Sequence, residues 1–127
     1  TWAARRNDLS QFVQSVRAKG IHLSDPLSMS RITPEGKTLT WKLSFQPESG
    51  QEDISVLPFF IDWGGTEHPA SRCDKGATLL KLNLKHPEPE KVANIAKVLE
   101  LDAIVSSGAM PKITAHIMCP RGEVVLS

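Results

Sequence analysis

TLLKLNLKHPEPEKVANIAKVLEL, residues 78–101, changes its period halfway along. Up to His86, apolar and polar residues alternate. Thr78, Leu80, Leu82, Leu84 and His86 stand on one side, and Leu79, Lys81, Asn83 and Lys85 on the other. That two-residue repeat is a strand with one buried face. Beyond it, Val92, Ile95, Val98 and Leu99 recur at helical spacing. Pro89 suits the first helical turn, and Glu88 and Glu90 lie where the positive end of the helix dipole favours carboxylates. A strand feeding directly into an amphipathic helix opens a module.

Working outward, Ile113, Ala115 and Ile117 alternate with Lys112, Thr114 and His116, and Glu123 to Leu126 reads as a closing edge. The first half repeats this order. Asn7 or Asp8 can cap a helix carrying Leu9, Phe12, Val13 and Val16, and Gly20 supplies a left-handed stop. Leu39, Trp41, Leu43 and Phe45 then form one face of a strand and Thr38, Thr40, Lys42 and Ser44 the other. Residues Val56 to Trp63 are more uniformly apolar, as in a strand covered on both sides, and Pro58 within them favours an edge or a bulge. Turn signals fall at Pro34-Glu35-Gly36-Lys37, Pro47 to Gly50, Ser107-Gly108 and Pro120-Arg121-Gly122. The predicted class is α+β: two paired β-α-β-β-β modules, residues 1–63 and 77–127, joined by a linker at 64–76. Each has a mixed, curled sheet with one helix outside. Identity between the halves is too low for a sequence repeat; what repeats is the order of elements.

Length and composition narrow the function. The 127 residues carry 15 Lys plus Arg against 14 Asp plus Glu, a net charge of +1, with 40% apolar and 23% charged residues. Those proportions describe a globular chain, and a balance so near zero offers no excess cation for the phosphates of nucleic acid. No apolar run approaches the roughly 20 residues that span a bilayer. Two cysteines, Cys73 and Cys119, make no disulfide scaffold and have no metal-ligand spacing. A reduced, cytoplasmic setting is expected, with a single bridge between them left open. The amino terminus has neither an initiator Met nor the basic-then-apolar order of a signal peptide.

Met29-Ser30-Arg31-Ile32-Thr33-Pro34-Glu35-Gly36-Lys37, then Leu39 and Trp41, then Leu57-Pro58-Phe59-Phe60-Ile61-Asp62-Trp63 and His68-Pro69 resemble the glyoxalase-like domain proteins of the vicinal-oxygen-chelate superfamily. The motif-bearing stretch covers roughly residues 1–70. The resemblance implies paired modules curled into a cup that usually holds a small molecule and often a divalent metal. It also implies a further upstream module bearing the first metal-ligand His, so this chain resembles the later part of such an arrangement.

A metal site of that kind needs a His, Gln or Glu in a first strand and a Glu on a last strand. Here only Asp62 and Glu123 are usable anions, both near strand ends, and His86 lies at the end of its strand. No metal ligand and no cofactor is therefore assigned. A divalent metal would require an upstream module or a partner chain. Arg31, Trp41, Asp62, Trp63 and His68 form the candidate ligand-binding set. Arginine can hold a carboxylate or phosphate through two parallel hydrogen bonds, and tryptophan faces can wall an apolar body. The same five admit a structural reading: Trp41 as core, Arg31 paired with Asp62 or Glu35, and His68-Pro69 shaping the linker. His116 on a polar strand face would need an orienting partner to act as a base. His22 and the loop thiol Cys73 carry no stronger assignment. Phosphate-binding loop, dinucleotide, nucleophile-elbow and HExxH motifs are absent from the sequence.

The expected function is binding of a small, anionic metabolite, with Arg31 on the anion, Trp41 and Trp63 as walls, and Asp62 or His68 orienting the ligand. The alternatives are a non-catalytic assembly module, for instance of a homodimer, and a divalent-metal-dependent lyase or dioxygenase. Nucleic acid and membrane are not expected partners.

Overall fold

The computed structural model describes residues 1–47 and 54–127. The chain divides into two compact units, each with one four-stranded mixed sheet and one helix. Both follow the order β-α-β-β-β, so the class is α+β. The turn signal at Pro47 to Gly50 lies mostly outside the described residues.

The first unit contains β1 (Ala3–Arg5), α1 (Leu9–Ala18), β2 (Leu27–Ile32), β3 (Thr38–Ser44) and β4 (Phe59–Asp62). Helix α1 starts where the Asp8 side chain accepts the Gln11 amide, and it stops before Gly20, whose φ is 88°. Its Leu9, Val13 and Val16 are buried. They meet Phe60, Ala4 and Ser44, which the register places on one side of the sheet. Phe60 is fully buried, with its ring 4.9 Å from that of Phe12 and the Arg6 guanidinium over both rings. The Ser44 hydroxyl, also fully buried, donates to the Ser24 carbonyl at 2.7 Å.

The sheet runs β1-β4-β3-β2, with β1 and β4 parallel and the remaining pairs antiparallel. The apolar run expected as a strand over Val56–Trp63 is shorter in the structure. Its first residues form a turn in which the Leu57 amide bonds the Ile54 carbonyl, and pairing begins only after Pro58. Proline has no amide to give a ladder, so the strand starts at the next residue. Pro58 is fully buried beside an inner strand, not at an edge.

The second unit contains β5 (Thr78–His86), α2 (Pro89–Val98), β6 (Ile104–Ser107), β7 (Lys112–Cys119) and β8 (Gly122–Leu126). Here the sheet order is β6-β5-β7-β8, and the parallel partners are β5 and β6, joined through α2. The two units thus share an order of elements but not a sheet order. In the first, the opening strand pairs with the last; in the second, it pairs with the next.

Leu84 and Val92 are almost wholly buried, together with Leu99, Ala96 and Leu82. The alternation read along 78–86 slips once: Leu79 pairs with Ile117 and Lys81 with His116, leaving Leu80 in a bulge. Leu79 therefore joins the side of Leu82 and Leu84. Glu100, with φ 52°, ends α2. No helix among the described residues is long and apolar enough to cross a membrane.

Candidate functional site

The side of the first sheet opposite α1 carries an apolar row. Met29 of β2 pairs with Trp41 of β3, and Trp63, just past β4, packs its ring 5.6 Å from that of Trp41. The His68 ring meets Trp63 edge-on at 5.3 Å. The His68 position is set locally: its Nδ1 accepts the Ala70 amide at 3.0 Å and so caps the single 3-10 turn Pro69–Arg72. Arg31 stands one row along on the same side, opposite Leu39. The Arg31 side chain is exposed and pairs with neither Asp62 nor Glu35. The Glu35 carboxyl is held below its ordinary range chiefly by a backbone hydrogen bond and then by Thr33.

Four of the five sequence-derived residues thus gather on one side: Arg31, Trp41, Trp63 and His68. Asp62 does not. It pairs with Lys42 on the α1 side. Its Oδ2 accepts the Leu9 amide at 3.0 Å, at the start of α1, and its Oδ1 accepts the Gly64 amide at 2.8 Å. Both oxygens therefore serve the backbone, one tying the helix start to the sheet and the other closing the turn after β4.

A hollow of about 430 Å³ is centred on the Met29, Trp41 and Trp63 row and flanked by Ser28, Ser30, Thr40, Lys42, Asp62 and Gly64. That volume suits a small organic ligand. Trp63 contributes a further feature: its indole Nε1–H is buried and has no hydrogen-bond partner among the described residues. A buried donor left unpaired costs about 1–3 kcal/mol, and native structures rarely carry one without a use. Sequence reasoning missed Ser28, Ser30 and Lys42 around the hollow: Lys42 reads as the polar side of its strand, and β2, exposed throughout, leaves no pattern from which to place the serines.

In the second unit, His116 Nδ1 lies 2.6 Å from Glu123 Oε1. This supplies the orienting partner that the sequence could not identify, because strand pairing of β7 with β8 creates it. His86, expected near the helix start, is buried with Nδ1 accepting the Glu88 amide at 3.0 Å. Cys73 and Cys119 are not joined in a disulfide. Among the described residues, no three His, Cys, Asp or Glu side chains gather closely enough to hold a metal ion.

Residues 1–99 match the family described as glyoxalase-like domain, extending past the motif-bearing stretch through α2. No curated protein matches the chain. Among solved structures, the chain is similar to one described as the crystal structure of a hypothetical protein from Staphylococcus aureus. The TM-score is 0.62 at 18% identity over 97% of this chain, and the chain spans 49% of that structure's length. At that identity the likeness is one of fold. With the family matched over most of its length, the chain belongs to the glyoxalase-like domain family of the vicinal-oxygen-chelate superfamily.

Proposed function

We propose that the first unit binds a small anionic ligand over the Trp41–Trp63 row. The observation that carries this reading is the Trp41–Trp63 ring pair, with Met29 beside it, lining a hollow of ligand size. The indole faces cover the ligand's apolar body, and Arg31, with no ion pair to any described residue and just beyond the hollow's lining, neutralises its anion from the adjacent row. His68 acts at one remove by holding Trp63, and Asp62 fixes the scaffold. Metal chemistry, on this reading, depends on ligands from outside the described residues.

The test is calorimetric titration of the protein with a panel of small carboxylates and phosphate esters. For a ligand so identified, Arg31→Ala should weaken binding about tenfold or more, the value of one charge-assisted contact. Trp63→Phe, which keeps the ring but not the N–H, should weaken it less. If Lys42→Ala abolishes binding while Arg31→Ala leaves it intact, the anion sits on the α1 side and the assignment to Arg31 fails.

A second reading, assembly, draws on β8. Val124, Val125 and Leu126 are exposed by 43%, 53% and 56%, on a strand that is a sheet edge. Such an edge offers unpaired backbone groups to another chain. A concentration-dependent dimer abolished by Val125→Lys would favour it.

A further inference from the structure

The side of the second sheet opposite Leu82 and Leu84 holds three successive cross-strand rows: Lys85 opposite Lys112, Asn83 opposite Thr114, and Lys81 opposite His116. Strand alternation puts all six side chains on one side. Like charges directly opposite each other on antiparallel strands are destabilising, and no carboxylate among the described residues pairs with them. Lys81, Lys85 and Lys112 make no ion pair or side-chain hydrogen bond with any described residue. Asn83 and Thr114 are half-buried between the two cationic rows and make no side-chain hydrogen bond with any described residue, so both can donate to a ligand. The nearby carboxylate, Glu123, is engaged with His116 Nδ1. That bond orients the ring and leaves Nε2 for a second partner, as donor when the imidazole is protonated. A whole-chain charge of +1 conceals this concentration of cations on one sheet face.

We propose that this face binds a small oxyanion-bearing molecule, phosphate or carboxylate, between the Lys85–Lys112 row and the Lys81–His116 row, with Asn83 and Thr114 donating from the middle. Bound there, the anion removes the repulsion between the paired lysines and receives charge-assisted hydrogen bonds, roughly twice as strong as neutral ones. Rows on one sheet face repeat about every 7 Å, so one phosphate touches two rows and a ligand with two anionic groups spans three. The three rows contain no Phe, Tyr or Trp ring, and the one imidazole, His116, is tied to Glu123. Nucleobases therefore find no run of stacking platforms, which favours a small anion over single-stranded nucleic acid. Nothing in this assignment depends on the Trp41–Trp63 hollow.

The experiment titrates the full chain with inorganic phosphate and with succinate, following the Asn83 side-chain amide and the His116 ring by NMR. Both signals should shift saturably with at least one probe, and the probe that saturates identifies the headgroup. Lys112→Gln should weaken that binding about tenfold, the value of one charge-assisted contact, and Lys81→Gln should act in the same direction. Without any probe, Lys112→Gln should raise the melting temperature, because the like-charge pair is gone. Lys97→Gln, at an exposed lysine on α2, should leave the titration midpoint unchanged. The proposal fails if neither probe saturates or if the midpoint is the same in Lys112→Gln. It also fails if Arg31→Ala abolishes the shifts, which would move the anion to the first sheet.

Discussion

Replacing Asp62 by alanine removes two hydrogen bonds from the first unit at once, and the cost separates a scaffold residue from a ligand contact. The carboxylate accepts the Leu9 amide at 3.0 Å and the Gly64 amide at 2.8 Å. Hydrogen bonds to a charged group contribute about 1.5–3 kcal/mol each. Asp62 is partly exposed, so the lower figure applies to both, giving a loss of about 3 kcal/mol. Favourable contact with the amino-terminal end of α1, itself worth about 0.3–1 kcal/mol, is contained in that sum. Leu9 is fully buried, so its amide cannot turn to water cheaply once the carboxylate is gone. Asp62→Asn keeps the shape and one carbonyl acceptor, and should lose about half as much. Equilibrium urea unfolding monitored by tryptophan fluorescence is suited to this comparison, since Trp41 and Trp63 both lie in the affected unit. The reasoning is refuted if Asp62→Ala unfolds within about 0.5 kcal/mol of wild type, the range of an ordinary surface change, yet no longer binds ligand. Asp62 would then belong to the ligand and not to the scaffold.

Three further outcomes follow from packing and charge. Phe60→Ala empties a fully buried position beside Phe12 and should cost about 3–5 kcal/mol in the same urea assay. Gly108→Ala would set a Cβ 2.9 Å from that of Lys85; it should destabilise the second unit by about 1–3 kcal/mol and shift the Lys85 amide in NMR spectra. The Glu67 carboxyl is lowered from 4.5, first by the Ser71 hydroxyl and then by Arg72. Its folded value lies below its unfolded one, so its contribution is complete above pH 4.5 and is lost as the pH falls through the lowered value. The Ser71 amide signal should move over that acidic range, and Glu67→Gln should abolish the movement.

Much of this fold can be read locally, because its signals are local. Asp8 and Gly20 bound α1, and alternation marks β3, β5 and β7. β2 and β6 are harder: all six residues of β2 are exposed, and β6 has only four. Too little burial is imposed on either to leave a pattern. Sheet order is not legible from either half, since the same sequence of elements gives two different pairings. The gathering of Trp41, Trp63 and His68 follows from the family motif, but the task of Asp62 does not. An aspartate beside a tryptophan looks like a ligand group until the Leu9 amide, far away in sequence, is seen to point at it. The orphaned indole nitrogen of Trp63 and the Glu123 partner of His116 are equally products of tertiary pairing.

The unequal wiring of the two sheets bears on the order in which the molecule assembles. Asn83 finds its parallel partner Ile104 across a single intervening helix, whereas Ala3 must wait for Phe59. Contacts between distant positions demand more loop-closure entropy before they return any stabilisation, and they slow folding accordingly. The second unit can therefore establish β5–α2–β6 as a local nucleus. The first unit cannot complete its sheet until its last strand arrives at its first, and until then β4 presents an unpaired flank of Phe59, Phe60 and Ile61. For a nascent chain, that flank is an aggregation hazard for as long as β1 has not docked.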